Sequence, residues 1–131
     1  MSVLVGYIET PEGLAALNRA VEEAKLRNTP LLILNTSRGD ALVDERYLQP
    51  ESVRALRQRL DQSGVKYELE QELRGNDAAA EILTAAEDRS VELIVIGMRQ
   101  RTPVGKLIMG STAQRILLQA ECPVLAVKAG N

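Results

Sequence analysis

"VELIVIGMRQRTPVGKLIMGSTAQRILL", Val91 to Leu118, changes character twice. An unbroken apolar run stops at Gly97, a glycine-punctuated basic loop follows, and Gly110-Ser111-Thr112 opens an amphipathic run. The first part has the β-branched look of a strand buried on both faces, and the last has the spacing of a helix with one apolar side. A strand that feeds a loop and then a helix is half of a crossover between parallel strands.

The same alternation continues outward along the chain. "VLVGYI" (Val3 to Ile8), "LLILN" (Leu31 to Asn35), "ELIVIG" (Glu92 to Gly97) and "PVLAVK" (Pro123 to Lys128) read as buried strands. "KYELEQE" (Lys66 to Glu72) alternates polar and apolar residues, as an edge strand with one wet face does. Between them lie helices with recognisable ends. Thr10-Pro11 caps one that carries Leu14, Leu17, Val21 and Ala24 to about Arg27. Pro50 opens another with Val53, Leu56 and Leu60, closed by Gly64. Asn76 caps a third, where Ala79, Ile82, Leu83 and Ala86 share a face, and Ser111 or Thr112 begins a fourth with Ile116 and Leu117 inward. The order β-α-β-α-β-α-β-α-β predicts an α/β fold, an open five-stranded parallel sheet with helices on both faces. Such sheets bind ligands beyond the carboxyl ends of strands, where the winding reverses. That places Ile8 to Pro11 beside Gly97 to Thr112.

Composition sets the limits. The 131 residues suit a single domain, 1–131, and hydrophobic residues at 45% with charged residues at 26% exclude a disordered chain. The core must be aliphatic, because Phe and Trp are absent and Tyr numbers 3. A net charge of -2 gives no bulk attraction to nucleic acid or membrane, so an anionic partner must be met by a local patch. With one cysteine, Cys122, no leader pattern and no long apolar run, a reduced cytoplasmic location is expected. "RGD" at Arg38 to Asp40 is a chance match in that setting.

The opening loop supplies the patch. Gly97 removes a Cβ where a sharp turn or a close ligand would need it absent, and Gly110-Ser111-Thr112 presents unpaired N–H groups at a helix start. Arg99, Arg101 and Lys106 add positive charge, and no acid occurs from Gly97 until Glu121. A Walker-type P-loop is excluded, since Gly97 and Gly105 are too far apart and Leu107 follows Lys106. Gly-x-Gly-x-x-Gly is absent as well. On these residues alone, a polyphosphate seat and a plainly capped helix entry are both open.

The loop also resembles the signature of the universal stress protein family, Gly-x2-Gly-x9-Gly-(Ser/Thr), through Gly97 and Gly110-Ser111. "AQRILLQAECPVLAVK" is similar to that family's last helix and strand, and "VGYIETPEGLAALNRA" to its opening. The resemblance implies a Rossmann-like, adenine nucleotide alpha hydrolase-like sheet in the order 3-2-1-4-5. It also implies a site for ATP or a related adenine nucleotide, with Mg. Phosphates and ribose would fall to Gly97, Gly110, Ser111 and Thr112, with Met98, Arg99 and Gln100 beside them. The base would approach Thr36 and the turn Tyr7, Ile8, Glu9 and Thr10.

Two positions depart from the family. Gln100 replaces its second glycine, at a cost of roughly 1–2 kcal/mol if a left-handed backbone is required there. Ile8 stands where nucleotide-binding members carry an aspartate, and a lost hydrogen bond costs about 1–3 kcal/mol. Glu9 would replace that acid only if the turn reoriented it. The resulting expectation is a stress-linked regulator that binds an adenine nucleotide weakly; the alternative is a member that acts through protein contacts. Catalysis is not expected, because there is no histidine and no Ser or Cys with an evident base, although slow ATP turnover stays open. Cys122 and the acids of "ELEQE" read as a small core residue and a solvated edge. "RQR" lacks aromatic stacking partners for nucleic acid. The last strand, apolar and at the sheet edge, is expected to pair in a homodimer through Val124, Leu125, Ala126 and Val127, as the resemblance implies.

Overall fold

The computed structural model describes residues 1–36, 49–72, 77–98 and 110–129. Strands β1 (Ser2–Gly6), β2 (Leu31–Thr36), β3 (Tyr67–Glu72), β4 (Val91–Met98) and β5 (Val124–Lys128) alternate with helices α1 (Pro11–Arg27), α2 (Pro50–Ser63), α3 (Ala78–Asp88) and α4 (Ser111–Gln119). They form one parallel sheet in the order β3-β2-β1-β4-β5. Alternate residues of each strand feed opposite layers. Val3, Val5, Tyr7, Leu93 and Val95 pack with α1 and α2, while Leu4, Ile94 and Ile96 pack with α3 and α4.

The reversal point lies between β1 and β4. Their pairing ends at Val5↔Val95, whereas β4 stays with β5 as far as Met98↔Lys128. The helix that follows β1, α1, packs on one face of the sheet, and the helix that follows β4, α4, on the other. A crevice must open between them.

Local details correct the sequence reading in four places. The face that α1 buries is Gly13, Ala16, Leu17, Ala20 and Ala24, and Leu14 is exposed. Small residues win because α1 lies close against the sheet. Leu117 is also largely outward, leaving Ile116 as the fully buried residue of α4. The cap of α3 is Asp77, whose carboxylate accepts from Ala80 N at 2.7 Å; Asn76 lies outside the described residues. β4 runs one residue past Gly97, so that glycine sits within a strand and not at a turn. Other ends agree with expectation. Thr10 caps α1 by accepting from Gly13 N at 2.9 Å, and Gly64 closes α2 with φ 81°.

At the wet edge, Arg89 bonds Glu68 at 2.7 Å and also Glu70, so the acids of β3 are partly neutralised. The opposite edge, β5, is half-buried from Val124 to Val127. Among the described residues no helix is long and apolar enough to cross a membrane.

Candidate functional site

The turn from β1 to α1 is wound tightly. Thr10 N donates to Ile8 O at 2.9 Å, and a Cβ on Gly13 would lie 1.9 Å from that same oxygen. Gly13 is therefore required for the turn to close under the helix, and Ile8, half-buried, is fixed by its backbone. This glycine escaped the sequence reading. Its signal was present in "TPEGL", a glycine inside the first helical turn, where it otherwise weakens a helix.

Gly97 serves a related purpose. A Cβ there would lie 2.2 Å from Glu12 O and 2.7 Å from Glu12 C, so the first turn of α1 rests directly on β4. On that face, the space left by the missing side chain is filled by protein. Met98, next along β4, is buried and falls on the α4 face by strand alternation.

The start of α4 differs from the other helix starts. Glu12, Glu51 and Glu81 stand in the first turns of α1, α2 and α3, whereas the first turn of α4 carries no acid. Its N-cap, Gly110, makes no side-chain cap bond, and Ser111 and Thr112 are exposed. The α2 start also lacks a side-chain cap bond, but it opens on Pro50, which has no N–H to offer. A Cβ on Gly110 would meet nothing within 4 Å, and its φ of -69° is open to any residue. The α4 start therefore offers N–H groups with no acceptor among the described residues, the positive end of a helix dipole and two exposed hydroxyls. Arg115, one turn in, bonds Asp77 Oδ2 at 2.6 Å and so ties this end of α4 to the cap of α3. The backbone N–H of Ala80 first, and Arg115 after it, hold the Asp77 carboxyl below its usual range.

Tyr7 and Glu9 turn elsewhere. Tyr7, just past the end of β1, belongs to the core layer under α1 and α2 with Val3 and Val5. Both residues line a groove between those helices, and neither turns toward the α4 start. The backbone of Tyr7 is anchored as well: its N–H donates to Leu34 O, and its carbonyl accepts from Asn35 Nδ2, each at 2.9 Å. Asn35 is fully buried and also accepts from Gln71 Nε2 at 3.2 Å, which locks the carboxyl ends of β1, β2 and β3 together. The sequence reading passed over this residue; its signal was one amide closing an apolar run. Thr36, beside it, ends β2 paired with Glu72. Arg99, Gln100, Arg101 and Lys106 lie outside the described residues.

Cys122 is half-buried against the layer under α3 and α4, and burial pushes its thiol up, away from the reactive thiolate. No group of three or more His, Cys, Asp or Glu that could hold a metal occurs among the described residues.

A parallel sheet in this order, with a bare helix start beside its reversal point, narrows the family, and comparison with known proteins decides it. The model of the universal stress protein family matches residues 1–128. The chain belongs to the universal stress protein family. A universal stress protein of Mycolicibacterium smegmatis is 48% identical over 126 residues, 96% of each chain. The solved universal stress protein of Archaeoglobus fulgidus superposes with a TM-score of 0.81 at 28% identity, covering 98% of both chains. A further structure from that organism, a universal stress protein in complex with dAMP, has a TM-score of 0.67 at 24% identity over 98% of both chains. Within this family fold, Gly97 acts as a packing glycine on the α1 side, and Gly110 faces open space.

Proposed function

We propose that this universal stress protein binds an adenine nucleotide, ATP or a close relative, beyond the carboxyl ends of β1 and β4. The start of α4 carries this reading: N–H groups without an acceptor among the described residues, Ser111 and Thr112, no acid in the first turn, and no described atom near a Cβ at Gly110. The dAMP held by the structural neighbour from Archaeoglobus supports an adenine nucleotide as the class of ligand. In the proposed seat the phosphates lie on Gly110, Ser111 and Thr112, and the positive charge of Arg99, Arg101 and Lys106 in the preceding sequence favours them. Met98, Gly97 and the Ile8-to-Thr10 backbone bound the middle of the nucleotide, and Thr36 receives the base. Magnesium arrives with the phosphates, since the described residues offer no acidic cluster to hold it alone. The role is binding and regulation of a stress response in the cytoplasm, not catalysis, and a chain without histidine supports that.

Ile8 favours a second reading, in which the protein acts on a client through protein contacts. Its side chain offers no hydrogen bond, and Glu9, the neighbouring acid, lines the α1–α2 groove. Calorimetry separates the two. Under nucleotide binding, Ile8→Asp should tighten ATP affinity by roughly tenfold. If neither the wild type nor Ile8→Asp takes up ATP, the second reading holds.

A further inference from the structure

The groove between α1 and α2 lies on the layer opposite α4, away from the phosphate end of the proposed nucleotide seat, and shares with that seat Glu9, whose backbone bounds the seat. It is an open groove of about 400 Å³, within the size range of small-molecule sites. Leu14, Leu17, Ala55 and Leu56 supply the apolar part of its walls. Into these walls is set the phenol of Tyr7, a residue only 8% exposed. Its hydroxyl has no hydrogen-bond partner among the described residues, although buried polar groups are nearly always paired. Glu9 and Arg59 are the charges that this hydroxyl feels, and both line the groove.

The rim carries an imbalance of charge. Glu9 and Glu51 are exposed carboxylates with no ion-pair partner among the described residues, and Arg59 is the single cation among the described residues of the lining. The guanidinium of Arg59 is partly engaged, since one of its nitrogens donates to Asn18. An apolar body would fill the groove, the phenol oxygen would accept one hydrogen bond, and the two carboxylates would favour positive charge at the mouth.

We infer that the α1–α2 groove is a second binding site, for a small organic cation that joins an apolar body to a protonated amine. Glu9 and Glu51 select the charge, and the Tyr7 hydroxyl accepts from the ammonium.

Benzylamine is the probe, with benzoate as its isosteric anion, followed by methyl and aromatic NMR shifts. Benzylamine at roughly 20 mM, the weak range expected of so small a ligand, should shift Leu14, Leu17, Leu56 and Tyr7 saturably. Benzoate should bind at least about tenfold more weakly. Tyr7→Phe keeps the ring and removes a hydroxyl to which no described residue bonds, so it should melt like the wild type and bind benzylamine roughly fivefold more weakly. Glu9→Gln, at an exposed position, should also weaken it. Saturating ATP should leave these shifts in place, which keeps the outcome separate from that of the nucleotide reading. Equal binding of benzoate, unchanged affinity in Tyr7→Phe, displacement by ATP, or the absence of shifts would each overturn the proposal.

Discussion

Gly97 of β4 and Glu12 of α1 are in backbone contact: a Cβ at position 97 would sit 2.2 Å from the Glu12 carbonyl oxygen. The glycine that most resembles a ligand contact in the sequence is therefore also a contact of the fold with itself. Gly110, its partner in the motif, has nothing within 4 Å of the same imagined atom.

These two glycines should respond oppositely to substitution. Gly97→Ala forces α1 away from β4 and should destabilise the protein by about 1–3 kcal/mol or more, read as a lower urea midpoint. Gly110→Val should cost no more than about 1 kcal/mol of stability, as an altered helix cap does, while removing nucleotide binding. A stable Gly97→Ala protein would show that α1 does not rest where the structure puts it.

Asn35→Ala should also be costly. It removes the donor to Tyr7 O and the acceptor for Gln71 from a fully buried position, so about 1–3 kcal/mol should be lost. Urea unfolding at pH 7 measures it, and a loss below about 0.5 kcal/mol would mean that the network is not what joins the three strand ends.

The pair Asp77–Arg115 predicts a pH signature. The folded-state value of Asp77 is depressed, so its contribution is present above the unfolded value, about 3.9, and is lost as pH falls through the folded value. Asp77→Asn keeps a capping oxygen and removes the charge. Both side chains are well exposed, so solvent screening limits the difference at pH 7 to under about 1 kcal/mol. Melts of the two proteins should converge as the pH is lowered toward 2. A gap that persists there would mean that the charge is not its source.

The edge strand β5 leads to a prediction about mass. Light scattering should give twice the 14.3 kDa of one chain if β5 pairs with its copy. Leu125 also packs against the α1 side of the core, so Leu125→Lys should lower stability as well as dissociate the dimer. A wild-type mass of one chain would remove the β5 interface.

The sheet was legible because buried parallel strands announce themselves as unbroken β-branched runs, and the Thr10 cap, Pro50 and Gly64 mark helix ends by local chemistry. What escaped was set by distance between elements. Periodicity favours large aliphatics, so Leu14 and Leu117 looked buried, yet close packing of α1 selected Ala16, Ala20 and Gly13. In the candidate site, the bare start of α4 was readable from Gly110-Ser111-Thr112. The direction taken by Tyr7 and Glu9 was not, because it depends on which face of β1 each position meets. The hold of Asn35 on Tyr7 joins residues 28 apart in sequence and leaves no local pattern.

The central claim is that the bare start of α4 still holds phosphates in a chain that carries Ile8 and Gln100. Calorimetric titration of ATP with magnesium into the wild-type protein tests it most directly. Saturable heat at up to millimolar ATP, abolished in Gly110→Val, is the predicted result. No heat at millimolar ATP, or undiminished heat in Gly110→Val, would contradict it.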